Sequence, residues 1–178
     1  MRVIAGTRKG HRLTSPRGAH TRPTGYRVRE AIFNLVGPVD GTSVLDLFAG
    51  SGALGIEALS RGARRCVFAE SDREAVRVIR ENLERTRLTG AAVEQRDAIG
   101  LLREERSRGR SHDLILCDPP YGRWVELEAL LAELLPRVLA PDGLLVVETD
   151  ERIGPQLPLD LVTSRRYGSA RVTIFRHA

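Results

Sequence analysis

The sequence predicts an α/β domain, a doubly wound and mostly parallel seven-stranded sheet with an antiparallel C-terminal strand, preceded by a small N-terminal hairpin-and-helix extension. Three observations carry this. From residue 43 onward, short apolar runs alternate with amphipathic segments of helical length, the pattern of repeated βαβ units. The first run leads into Gly50-Ser51-Gly52-Ala53-Leu54-Gly55, a glycine-rich turn that opens a helix. The final stretch from Leu159 reads instead as two strands joined by the tight turn Tyr167-Gly168-Ser169.

Taken in chain order, residues 2–5 and 11–14 read as short strands around a Gly-flanked basic turn. Thr24 is placed to cap a helix over 25–36, with Val28, Ile32, Leu35 and Val36 on one face. Gly37-Pro38 breaks it. Strands follow at 43–48, 65–70, 91–95, 112–117 and 143–148, and helices at 52–60, 72–87, 97–106 and 125–138. Ser71, with Glu74 three residues on, has the spacing of a capping box. The expected division is a basic hairpin and loop over 1–24, then one domain over 25–178.

At 178 residues the chain is long enough for one domain with a full core. No apolar run reaches the length of a membrane span, and the basic opening has no signal-peptide core, so a cytoplasmic protein is expected. Cys66 and Cys117 lie inside apolar strand-like runs, which suits buried free thiols. His11, His20, His112 and His177 are scattered without ligand spacing, and no metal is expected.

Charge is distributed unevenly. Residues 1–29 hold eight basic side chains (Arg2, Arg8, Lys9, Arg12, Arg17, Arg22, Arg27 and Arg29) and no Asp or Glu, so that segment is +8 and the remainder, from a total of +5, is −3. A basic arm on a mildly acidic body fits a polyanionic partner. A solvated tail that aids solubility would carry the same charge.

Glycines alone do not choose the ligand of the turn after the first strand, since NAD and S-adenosylmethionine both suit it. Asp46, near the end of that strand, would repel a pyrophosphate and favour a cationic amino-acid group. Glu70 ends the second strand, 20 residues after Gly50, where a carboxylate can accept from both ribose hydroxyls of either ligand. Asp97, after the third strand, can accept from an adenine amino group, cap the next helix, or do both. Asp118-Pro119-Pro120-Tyr121 then follows the fourth strand at the same edge. Two prolines remove amide donors and stiffen the turn. With the Asp118 carboxylate, the carbonyls of the turn and the Tyr121 ring, this suits a planar base bearing an exocyclic amine. The reading is therefore S-adenosylmethionine as cofactor, held by Asp46, Phe48, Gly50, Ser51, Gly52, Glu70, Ser71, Asp97, Ala98 and Asp118, with Asp118, Pro119 and Tyr121 as the catalytic set.

"DLFAGSG" with "DPPY" resembles the class I, Rossmann-like methyltransferases that act on exocyclic amines of nucleic-acid bases. "RVIAGTRKGHRL", "TRPTGYRVREAIFNLV", "LDLFAGSGALGIEALSRGA" and "DLILCDPPY" together resemble the RsmD-type 16S rRNA guanine-N2 methyltransferases of bacteria, over nearly the whole chain. Gly25-Tyr26 stands where that family more often has Thr-Asp. The resemblance implies methyl transfer to a guanine N2 of 16S rRNA within an assembled or assembling 30S subunit. The enzyme is expected to act as a monomer, with Arg8, Lys9, Arg12, Arg22, Arg27 and Arg29 as the RNA-contacting set. The competing readings are a DNA or RNA methyltransferase acting on adenine N6 or cytosine, an NAD oxidoreductase, and a non-catalytic RNA-binding module. Cytosine-C5 chemistry would need Cys117 as a thiolate nucleophile.

Overall fold

The computed structural model describes residues 1–16, 25–120 and 122–177. The elements are helix α1 (Tyr26–Val36), strand β1 (Ser43–Leu47), α2 (Ala53–Ser60), β2 (Arg65–Glu70), α3 (Arg73–Thr86), β3 (Ala91–Gln95), α4 (Ala98–Ser107), β4 (His112–Cys117), α5 (Trp124–Val138), β5 (Leu139–Asp150), β6 (Asp160–Tyr167) and β7 (Ala170–Arg176). The sheet order is β3-β2-β1-β4-β5-β7-β6. Strands β1 to β5 pair in parallel, and β7 runs antiparallel to both β5 and β6. Order reverses between β1 and β4, so a ligand crevice belongs at their carboxyl ends.

One face of the sheet packs against α1, α2 and α3 through Ile32, Phe33, Ile56, Phe68 and Ile79. The other packs against α4 and α5 through Leu45, Leu101, Leu102, Leu131 and Leu135. Because β1 is covered on both faces, all five of its residues are buried, which is why after Ser43 it reads as an apolar run broken only by Asp46.

Four local differences from the sequence reading have physical causes. Asp72, not Ser71, caps α3: its carboxylate accepts from the Ala75 amide at 2.8 Å, and Ser71 lies one residue outside. Thr24 lies outside the described residues, and Gly25 occupies the cap position of α1 without a side-chain bond. Strand β5 starts at Leu139 rather than 143, because Pro141-Asp142-Gly143 is carried as a register shift against β4 instead of ending the strand. The N-terminal pair of strands is a single bridge, Arg2 with Arg12, around a 3-10 turn at Gly6–Arg8.

That hairpin is fixed to the domain. Val3 and Leu13 enter the same apolar cluster as Ile32 and Phe33. Glu57, fully buried on α2, accepts from the Ile4 amide at 2.7 Å, the Ala5 amide at 2.9 Å and Arg61 Nε at 2.8 Å. Gly6 lies so close to α2 that an added Cβ would stand 1.8 Å from the Ser60 carbonyl oxygen. Glu57→Ala orphans two amides and a guanidinium at once. It is expected to cost about 2–4 kcal/mol, since each buried polar group left unpaired costs about 1–3 kcal/mol. Urea denaturation measures it, and a loss below about 0.5 kcal/mol would show that the hairpin is not held through Glu57.

Candidate active site and nucleic-acid surface

The turn after β1 is shaped by its own backbone. Phe48, Gly50 and Gly52 all have positive φ (58°, 55° and 75°), and Gly52 leads directly into α2. A Cβ on Gly50 would meet nothing nearer than 4.0 Å, so that glycine faces open space through which a ligand can approach the backbone. Gly55 does the opposite. Its added Cβ would stand 2.3 Å from the Phe68 ring and 2.7 Å from Cys66 Sγ, so the third glycine serves close helix–strand packing.

The structure brings the strand-end carboxylates together. Glu70 accepts from the Gly50 amide at 2.8 Å and from the Asp72 amide at 2.8 Å, and so ties the end of β2 to the glycine turn. The Asp118 amide donates to the Leu47 carbonyl at 3.4 Å, which puts the Asp-Pro-Pro turn beside the end of β1. Asp97 caps α4 by accepting from the Gly100 amide at 2.8 Å while its side chain stays exposed, and Ala98 behind it is buried. Ser51 is half-buried and Ser71 exposed at the same edge.

Asp46 differs from expectation. It is 1% exposed, and its carboxylate accepts from the Gly55 amide at 2.9 Å. It therefore braces the start of α2 from beneath rather than opening onto a ligand. Burial, with the charges of Asp118 and Glu70 adding to it against the Gly55 bond, pushes its carboxyl well above the usual range. Glu70 and Asp118 at this edge make it suited to a cation and unsuited to a pyrophosphate.

The Asp-Pro-Pro turn is partly internalised. Pro119 is buried, and the Pro120 carbonyl accepts from the Arg123 amide at 3.0 Å. Of the two proline carbonyls read as outward acceptors, that of Pro120 is thus engaged within the turn. Tyr121 lies outside the described residues. Cys117 is 1% exposed, and burial, then Asp118 and Asp46, push its thiol far above the ordinary value. An enclosed thiol whose ionisation is disfavoured is poorly placed to attack a pyrimidine ring, which counts against cytosine-C5 chemistry. Cys66 is likewise buried and free. Among the described residues there is no cluster of side chains able to hold a metal, and no helix long and apolar enough to cross a membrane.

Of the six basic residues expected to meet RNA, Lys9, Arg12 and Arg27 are exposed and Arg8 is half-buried. Arg22 lies outside the described residues. Arg29 is a correction: it is 1% exposed, donating to the Arg2 carbonyl at 2.9 Å and reaching Met1 Sδ at 3.3 Å. Burial pulls its pKa down and Glu57 pulls it back. It pins α1 to the first hairpin strand and is closed off from phosphate. Two arginines outside the arm adjoin it instead: Arg85 donates to the Arg12 carbonyl, and Arg8 reaches the Arg87 carbonyl.

One residue that the sequence reading passed over links this surface to the turn. Asn82, buried on α3, accepts from the Thr14 amide and hydroxyl and donates to the carbonyls of Thr14 and Ser51, all at 2.9–3.0 Å. The hairpin is thus tied through Asn82 to the glycine turn. A polar residue in the apolar stripe of Ala75, Val78 and Ile79 was the available signal.

A family model described as Conserved hypothetical protein 95 matches residues 1–176. The chain is 42% identical over 182 residues to a Bacillus subtilis protein named "Putative rRNA methyltransferase YlbH", spanning 99% of this chain and 98% of that one. It is 36% identical over 160 residues to the "Ribosomal RNA small subunit methyltransferase D" of Escherichia coli K12, spanning 89% and 79%. Among solved structures it is similar to the one described as "Putative methyltransferase yhhF from Escherichia coli", with a TM-score of 0.84, 32% identity, and coverage of 100% and 98%.

Proposed function

The chain belongs to the Conserved hypothetical protein 95 family, and from that membership we propose that it transfers a methyl group from S-adenosylmethionine to the exocyclic N2 amine of a guanine in small-subunit rRNA. The observation that carries the reading is the Asp118-Pro119-Pro120 turn, beside the glycine turn at the sheet's switch point. The donor set fits the cofactor. Gly50 leaves room for close approach, Glu70 and Asp97 offer carboxylate oxygens to hydroxyls and an amino group, and the acidic edge complements a sulfonium. When bound, the cofactor supplies an electrophilic methyl group.

The residues then supply alignment. Guanine N2 is a weak nucleophile because its lone pair is delocalised into the ring. Hydrogen bonds from the amine to the Asp118 carboxylate and the Pro119 carbonyl favour a pyramidal nitrogen with its lone pair directed at the methyl group. Most of the acceleration comes from this positioning and from fixed acceptors. As the new N–C bond forms, the nitrogen becomes cationic and sheds a proton readily, so no strong base is required. Tyr121 stacks on the base, a contact of about 1–3 kcal/mol. The target has to be unpaired or flipped out to reach the turn. The substrate is the RNA of an assembled or assembling 30S subunit, met in the cytoplasm by a monomer, with Arg8, Lys9, Arg12 and Arg27 on its phosphates.

Glu70→Ala tests the cofactor assignment. It is expected to weaken S-adenosylhomocysteine binding by about 1.5–3 kcal/mol, the worth of hydrogen bonds to a charged group, measured by calorimetry. Unchanged affinity would remove the ribose from the end of β2. Calorimetry with NADH on the unaltered protein is expected to give no binding heat, and binding would favour the oxidoreductase reading.

A further inference from the structure

We infer that the β6–β7 end of the sheet is a second RNA-contacting surface, gripping phosphates on the side of the pocket opposite the N-terminal hairpin; this deepens the function proposed above and rests on it. The register of the sheet places it. Cys117 pairs with Val147, Val147 with Thr173, and Thr173 with Ser164. One residue further on, Glu148, Val172 and Arg165 pair across the sheet, and then Thr149, Arg171 and Arg166, while Asp118 and Pro119 follow Cys117 directly at the end of β4. Arg165 and Arg166 therefore stand level with the Asp-Pro-Pro turn, three strand spacings away, or about 14 Å. The hairpin is anchored on α2 and α3, over the β1–β2 side. A strand of RNA whose target base enters between β1 and β4 has flanking phosphates to place on either side.

Arg165 and Arg166 are exposed, and Arg152 has 86% of its side chain exposed, its Nε 3.9 Å from the Asp150 carboxylate. Arg166 is directly opposite Arg171 across the β6–β7 ladder, and like charges in that relation are destabilising. Arg171 is held in place by the Glu151 carbonyl, at 3.0 Å from Nε and 2.8 Å from Nη2, and by Ser164 Oγ at 3.1 Å from Nη1. A guanidinium fixed in this way beside a second one forms a site whose repulsion an anion relieves. The acidic groups at the same end are Asp150, Glu151 and the buried Glu148, against Arg152, Arg165, Arg166 and Arg171. A polyanion running across the strand ends from Asp118 toward β6 is the matching partner.

The test uses the full chain with Arg165→Ser and Arg166→Ser together, both exposed positions. Binding to unmodified 16S rRNA is measured against salt, beside S-adenosylhomocysteine calorimetry. The expected result is unchanged cofactor affinity, about tenfold weaker RNA binding, and a slope of log affinity against log salt smaller by about 1.4–1.8, at 0.7–0.9 per lost contact. In turnover, KM for RNA rises while kcat at saturation holds. Arg165→Lys with Arg166→Lys retains most of the slope, as a phosphate contact requires and a purely structural role does not. RNA affinity and slope unchanged in the serine variant, with the wild type still methylating RNA, would overturn the second surface and leave the proposed function standing. Loss of binding to 30S particles but not to free RNA would overturn it in favour of a ribosomal-protein contact. A wild type that neither binds nor methylates RNA would overturn both.

Discussion

Replacing Asp118 with alanine is expected to lower kcat for methyl transfer by about 10²–10³-fold, the cost of removing one fixed electrostatic partner from a reacting centre. The fold survives because the side chain is only half-buried and the Asp118 amide bond to Leu47 is made by the backbone. Affinity for S-adenosylhomocysteine changes far less than turnover. Asp118→Asn retains a carbonyl acceptor for the amine and loses the charge, so its activity falls between the two. Single-turnover transfer with saturating RNA reads the chemical step, and calorimetry reads cofactor binding separately. Near-normal turnover in the alanine variant would take Asp118 out of the mechanism.

The second large effect belongs to the hairpin. Deleting residues 1–22 would not test it cleanly, because Val3, Ile4 and Leu13 are buried and Glu57 would lose its partners. Substituting Arg8, Lys9 and Arg12 together by serine leaves those contacts in place and removes three positive charges. RNA affinity is then expected to fall sharply, and its salt slope to drop by about 2.1–2.7, from three contacts at roughly 0.7–0.9 each. Binding of S-adenosylhomocysteine is expected to hold, since the strand-end carboxylates are untouched. Unaltered affinity and slope would reduce the arm's charge to an aid to solubility.

Much of the fold was legible because strand and helix alternate so regularly. The strands predicted at 43–48, 65–70, 91–95 and 112–117 match β1 to β4 within a residue, and the tight turn at Gly168 separates β6 from β7 as read. What misled were places where tertiary contacts decide between two locally reasonable options. Ser71 and Asp72 are both good caps, and only the backbone path selects Asp72. Arg29 looked like one more charge in a basic arm. Yet it is three residues before Ile32 and four before Phe33, on the buried side of α1, a position that helical spacing could have flagged. At the site, the glycine turn, Glu70 and Asp118 were readable from their place after strands. The burial of Asp46 and the engagement of the Pro120 carbonyl were not, because each depends on a partner brought in by folding: the Gly55 amide for one, the Arg123 amide for the other. Glu57 and Asn82 were passed over for the same reason, since their partners on the hairpin lie 52 to 53 and 68 residues away in the chain.

Whether this edge of the sheet methylates a guanine N2 is read from the product nucleoside. Tritiated S-adenosylmethionine is incubated with the protein and small-subunit rRNA from an undermodified strain, and the RNA is digested to nucleosides. Label is expected in N2-methylguanosine, and none when Asp118→Ala is used. Label in N6-methyladenosine or in a methylated cytidine, or no transfer by a protein that binds the cofactor, would contradict it.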